Sequence, residues 1–134
     1  MNIFIDYRIT VLLIGLTSVL FLVQLLVVDV FSLKRKHRPG FPVKPNHDDI
    51  FFRATRAIEN SNESAAIFIL AIIFAIFSWA EPYWLNIFCG CYLVGRVGHM
   101  IFYYLNIELL RSAFFALSLI GVFAILILGF YAWV

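Results

Sequence analysis

The chain has 134 residues, 63% of them hydrophobic and 13% charged, with a mean hydropathy of +0.96 and a formal net charge of +2. A water-soluble domain of this length leaves much of its surface exposed and has nowhere to hide so much apolar area, so the composition excludes an ordinary soluble protein and points to the membrane. The basic residues do not suit a nucleic-acid surface either. Lys34, Arg35, Lys36, Arg38, Lys44, Arg53 and Arg56 fall between the first two apolar blocks without interleaved aromatic side chains, the pattern of a topology signal.

Ile9 to Val28 is an apolar run interrupted only by Thr10, Gly15, Thr17, Ser18 and Gln24. At 1.5 Å per residue it covers about 30 Å, the hydrocarbon thickness of a bilayer. It lacks a strongly positive start and a small-residue cleavage site, and it ends in Lys34-Arg35-Lys36, so it reads as a retained first transmembrane helix over about 9–30. Ser32 to Asp49 is a hydrophilic connection punctuated by Pro39-Gly40, Pro42 and Pro45, with Asn46 or Asp48 as candidate caps for the next helix.

The second helix is expected over about 49–79, with a polar first half and an apolar second half from Ala65 to Ala80. Arg53, Arg56, Asn60 and Glu63 stand at offsets of 0, 3, 7 and 10, which places them on one helical stripe. Glu59 lies on another face and reads as an ion-pair partner. Glu81-Pro82 ends this span and opens a third over about 82–105, since proline suits a first helical turn. Trp79, Tyr83 and Trp84 gather there as an interfacial aromatic belt would. Within the third span Arg96, His99 and Tyr103, at offsets of 0, 3 and 7, form another stripe, and Cys89 and Cys91 read as small apolar fillers. Asn106 to Leu110 is a brief turn before a fourth span over about 111–133, with Tyr131 and Trp133 near its far end.

The expected fold is therefore an all-α integral membrane protein, a four-transmembrane-helix bundle formed by residues 1–134 as one domain. The basic first connection places itself on the cytoplasmic side, and both termini on the opposite side. Arg53, Arg56, Asn60, Glu63, Arg96, His99, Tyr103 and Arg111 then converge in the cytoplasmic half. Arginine inside hydrocarbon demands protein, water or a counter-charge, so a polar pocket is expected there. Such a pocket suits a small zwitterion or multiply charged anion, with carboxylates on the arginine forks and an amide or ammonium on Asn60 and Glu63. A bound thiol would be favoured as thiolate and could attack a bilayer-dissolved electrophile with no protein nucleophile.

Plainer roles stand beside these. Arg53 and Arg56 could be interfacial anchors, Arg96 a structural ion pair with Glu63 or Glu59, His99 a core histidine, Tyr103 a packing residue and Ser112 a helix cap. His37, His47 and His99 are dispersed and Cys89 and Cys91 lack ligand spacing, so zinc has little support.

The blocks Arg53-Ala-Thr-Arg56-Ala-Ile-Glu-Asn60-Ser-Asn-Glu63, Gly95-Arg96-Val-Gly-His99-Met-Ile-Phe-Tyr103 and Leu110-Arg111-Ser112 resemble those of the MAPEG family, the membrane-associated proteins in eicosanoid and glutathione metabolism. The resemblance runs over essentially the whole chain. It implies a homotrimer with glutathione as co-substrate in subunit interfaces near the cytoplasmic side. Arg53, Asn60, Glu63, Arg96, His99 and Tyr103 would contact glutathione, with Arg56 in the same network. Arg111 and Ser112 resemble the arginine–serine pair associated with thiol activation in the prostaglandin-synthase-like branch. Phe115 stands where some relatives have tyrosine. The resemblance implies a glutathione S-transferase acting on hydrophobic electrophiles, with lipid hydroperoxide reduction as an added activity, in a bacterial inner membrane or the endoplasmic reticulum. Two alternatives are a nonenzymatic lipid-binding or scaffold protein of the same fold, and a small proton-coupled transporter using Glu63 or Asp29.

Overall fold

The computed structural model describes residues 3–134, with side chains from Ile5 onward. A single turn, α1 (Ile3–Asp6), precedes four long helices: α2 (Arg8–Lys34), α3 (Ile50–Phe77), α4 (Pro82–Tyr104) and α5 (Glu108–Trp133). All four are long and apolar enough to cross a membrane. The all-α four-span architecture expected from composition is the one found, and no strand occurs among the described residues. Much of the outer surface is apolar: Leu12, Leu16, Leu22, Ile67, Leu70, Phe123, Ile127 and Phe130 are all exposed. In water such a surface would aggregate, whereas in a bilayer it is the solvated face.

Each helix turns one periodic stripe inward. In α2 the buried residues are Thr10, Thr17, Leu20 and Gln24; in α3 they run Phe51, Ala54, Ala57, Ile58, Ser61, Ser64, Phe68, Ala71, Ile72 and Ala75. The abundance of Ala, Ser and Gly on these seams lets backbones approach, which is how apolar helices associate where lipid offers no hydrophobic drive. α4 and α5 form the most extensive pairing. A Cβ on Gly95 would come within 2.6 Å of the Ser118 backbone nitrogen, and one on Gly121 within 2.9 Å of the Phe88 carbonyl oxygen.

The connections follow local chemistry. Asp49 caps α3 by accepting from the Phe51 amide at 3.0 Å, and its other oxygen pairs with Arg35 at 2.6 Å, tying the two ends of the basic loop together. Asn46 and Asp48, the caps expected from sequence, are used differently: Asn46 accepts from the Asp48 amide and shapes the turn before the helix. Glu81 caps α4 through the Trp84 amide at 2.9 Å, with Pro82 in the first turn. The α4–α5 turn is tighter than its sequence suggested. Asn106 takes a left-handed φ of 58°, a conformation asparagine tolerates, and α5 resumes at Glu108 rather than at 111. The first helix also runs past 30, to Lys34. At the opposite end, Tyr7 donates to the Ala80 carbonyl at 2.6 Å and Thr10 to Asn86 at 2.7 Å, clasping the start of α2 to the α3–α4 turn.

The apolar core occupies one half of the bundle, around Phe68, Ala71, Ile72, Leu85, Cys89, Tyr92, Val122 and Ile125. The half toward the basic loop is polar inside. Substitution of Gly95 by alanine should cost about 1–3 kcal/mol, because the new methyl meets fixed backbone. Gly15→Ala, where nothing lies within 4 Å, should instead stabilise by up to about 1 kcal/mol. Thermal unfolding in detergent checks both, and a neutral Gly95→Ala would show that α4 and α5 do not pack this closely.

Candidate functional site

Arg96 sits eight residues before the end of α4, so it lies about 12 Å inside the helix from that end. It is 0% exposed, the largest fully buried side chain. Its Nη1 donates to Asn60 Oδ1 at 2.7 Å and, more weakly, to the Asn60 carbonyl at 3.4 Å. The guanidinium carbon stands 5.4 Å from the Tyr92 ring and 5.3 Å from the Phe115 ring, so two aromatic faces help carry the charge. Tyr92 is fixed in turn: its ring stacks on Phe68 at 3.7 Å and its hydroxyl meets Ser64 at 2.8 Å.

One turn further along α4, His99 Nδ1 lies 3.0 Å from the Arg111 carbonyl oxygen. A carbonyl only accepts, so Nδ1 carries the proton of this bond, and in the neutral ring Nε2 is left as a lone pair. Arg111 reaches over Tyr103, with its guanidinium carbon 4.6 Å from the ring, while Glu108 stays 3.8 Å away and mostly exposed. Tyr103 also meets the His99 ring edge-on at 5.3 Å. Arg53 closes the loop-side end by donating to the His47 carbonyl at 2.6 Å and the Tyr104 carbonyl at 3.2 Å. α3, α4 and α5 thus bring Arg53, Asn60, Arg96, His99, Tyr103 and Arg111 into one polar region within a single chain.

Several buried polar atoms there have no partner: Arg96 Nε and Nη2, Arg111 Nη1, Arg53 Nε and His99 Nε2. Buried groups of this kind find an acceptor or donor in water, a ligand or another chain. Most of them are cationic donors, so the region favours an anion.

Other candidates from the sequence lie at the edge of this region or outside it. Arg56 pairs with Glu59 at 2.6 Å on a half-exposed surface, as expected of Glu59, and stands beside Tyr103 at the rim of the cluster. Glu63 is exposed and pairs with nothing among the described residues, so the expected Arg96–Glu63 or Arg96–Glu59 ion pair does not form; Asn60 takes that place. The physical reason is angular. Offsets of 0, 3, 7 and 10 spread over about 80°, and the stripe straddles the edge of the buried face: Arg53 and Asn60 fall inside, Arg56 and Glu63 outside. Ser112 is exposed, does not cap α5, and donates to the Glu108 carbonyl at 3.0 Å within its own helix. Gln24 is buried and accepts from Ser61 at 3.1 Å, while Asp29 is exposed. Cys89 is buried and Cys91 half-buried, both free thiols. Among the described residues no three His, Cys, Asp or Glu side chains gather closely enough for a metal.

Tyr92 is absent from the sequence reading, and Phe115 enters it only as a replacement for tyrosine, not as a neighbour of Arg96. Tyr92 stands four residues before Arg96 and Phe115 four after Arg111, each on the same helical face as its neighbour, so the (i, i+4) rule could have found them.

A family model matches residues 10–131, nearly the whole chain, and its description is the MAPEG family. The chain belongs to the MAPEG family. Its four spans make it an integral multi-pass membrane protein. No curated protein matches the sequence.

In this MAPEG protein the buried guanidinium and its amide partner should be the energetic centre of the polar half. Asn60→Leu removes the only strong acceptor of Arg96 among the described residues and should destabilise by about 1.5–3 kcal/mol. Arg56→Gln, at the half-exposed pair with Glu59, should change stability by less than about 1 kcal/mol. Equal losses in unfolding experiments would contradict this ranking.

Proposed function

We propose that the protein is a glutathione S-transferase that conjugates glutathione to hydrophobic electrophiles dissolved in the bilayer, with glutathione-dependent reduction of lipid hydroperoxides as a related activity. The observation that carries this reading is the set of unpartnered cationic donors on Arg53, Arg96 and Arg111, buried behind lipid-facing helices. Membership of a family that includes glutathione transferases supports it.

Glutathione is a thiol with two carboxylates, an ammonium and two amides, and the residues present fit those groups. Arg96 Nε and Nη2 offer a fork for one carboxylate and Arg53 Nε a single N–H for the other; His99 Nε2 accepts an amide N–H; Tyr103 supplies a hydroxyl and an aromatic wall. Arg56 and Glu63, on the outer edge of α3, suit a ligand bound where a second copy closes the site, with Glu63 receiving the ammonium. That is the arrangement of a homotrimer with its sites at subunit boundaries. The five Lys and Arg residues of the first connection support the cytoplasmic side for this end, in a bacterial inner membrane or the endoplasmic reticulum.

Catalysis then rests on charge placement. The thiol gives up its proton to water, and Arg111 Nη1 holds the resulting thiolate. Ser112 adds a hydrogen bond once its hydroxyl turns from the Glu108 carbonyl. The thiolate sulfur forms a bond to the electrophilic carbon, and a leaving group departs with its electron pair, or the adduct takes up a proton where nothing leaves. The protein contributes proximity and a preorganised field.

Incubation of the purified protein with glutathione and a panel of hydrophobic electrophiles, read by mass spectrometry, should yield conjugates in detergent with no ion gradient. A proton-coupled transporter would need the gradient, and a lipid-binding scaffold would form no conjugate. Arg111→Ala should lower kcat/KM by about 10- to 100-fold and reduce the thiolate absorbance of bound glutathione. Ser112→Ala should cost about 2- to 10-fold. Unchanged thiolate absorbance in Arg111→Ala would remove this residue from the chemistry.

A further inference from the structure

The first connection does more than carry charge: it roofs two adjoining crevices. One, of about 540 Å³, is lined chiefly by Val28, Leu33, His37, Phe41, Val43 and Phe51, with Asp29 on its wall. The other, of about 260 Å³, shares His37, Val43 and Phe51 and adds Arg35, Lys44 and Asp49. Neither touches the Arg96 region.

Depth identifies what such a crevice meets. α2 has 27 residues and so a length of about 40 Å, about 10 Å more than a hydrocarbon core. The apolar run from Ile9 to Val28 fills the hydrocarbon core, so the last two turns, beside the crevices, stand at headgroup level. Between residues 29 and 49 the chain carries five Lys and Arg against three Asp. Asp49 is committed to Arg35, and among the described residues Lys34, Lys36, Arg38 and Lys44 form no ion pair. Arg38 is drawn over the Phe41 ring at 4.5 Å, so one cation already leans over the mouth of the larger crevice. Asp29, on the wall nearer the bilayer, repels phosphate there, and Asp49 already neutralises Arg35, which leaves Lys44 as the seat for an anion.

We infer that these joined crevices hold one anionic glycerophospholipid, its phosphate beside Lys44 and the start of its acyl chains against Val28, Leu33, Phe41, Val43 and Phe51. A cationic surface without a cavity would attract many anionic lipids diffusely. A crevice with an apolar floor and cationic rim selects one, because phosphate and methylenes are engaged together. This site is independent of the proposed thiol chemistry.

The test is native mass spectrometry of the full chain from mixed micelles with equal phosphatidylcholine and phosphatidylglycerol. One phosphatidylglycerol per chain should be retained, saturably and in preference. Lys44→Gln should weaken it about fivefold, the effect of one cation at a membrane surface. Val43→Trp and, from the α3 side, Thr55→Trp fill the crevice without altering charge, and either should abolish the saturable copy while helicity by circular dichroism stays unchanged. Equal retention of both lipids would overturn the inference. So would phosphatidylglycerol retention indifferent to both tryptophans, or displacement by millimolar inorganic phosphate, which would mark a free-phosphate site.

Discussion

A guanidinium fully buried about 12 Å inside a membrane helix is the constraint around which the polar half of this protein is built. An isolated arginine at such depth is expensive, and the ion does not escape by losing its proton. Arg96 has the Asn60 amide oxygen along one edge and aromatic rings on both sides. None of these is a carboxylate, so the positive charge is solvated but not neutralised. What remains is a field, aimed by Nε and Nη2, that a ligand anion can complete. An internal ion pair with Glu63 would have spent that field.

Close backbone approach makes this arrangement possible. Gly95 precedes Arg96 and rests against the α5 backbone at Ser118, and Gly98 lies directly beneath the Phe114 ring. With any side chain at Gly95, α5 would stand further off, and Phe115 and Arg111 would leave the guanidinium and His99. The apolar half acts through Tyr92 in the same sense. Its ring belongs to the core stack on Phe68, its hydroxyl to Ser64, and its other face to Arg96. Packing of the inert half thus sets the orientation of the charged half.

How much of this was legible follows from which interactions repeat along the chain. Hydropathy marks four spans because each must satisfy its backbone internally for the full thickness of the membrane, and that demand writes itself into some twenty residues at a time. The convergence of Arg53, Asn60, Arg96, His99 and Arg111 was legible from helical offsets combined with topology. The division within the α3 stripe was not, because an 80° spread cannot say where the buried face ends until α4 is in place. The choice of Asn60 over a carboxylate as the partner of Arg96 is likewise a matter of about one helical turn of register. The turn at Asn106 was misjudged because a single left-handed residue shortens a connection with no compositional trace.

The outer edge of α3 raises a demand that one chain does not meet. Glu59, Asn62 and Glu63 are exposed, and Glu63 stands about 20 Å from the start of a helix that is about 42 Å long. If the surplus length of α3 over the hydrocarbon core is shared between its ends, Glu63 lies well within that core. A carboxylate facing lipid at such depth costs about 2.5–3.5 kcal/mol even on the more lenient insertion scale. Arg56 relieves Glu59 but does not reach Glu63. Water does not remain at that depth without walls, and a neighbouring protein surface would supply them. A second copy packed on this edge would enclose the carboxylate and, one turn away, the open flank of the Asn60–Arg96 pair. On the function proposed above, the residues at this edge of α3 are the ones a subunit boundary would bring to the cluster.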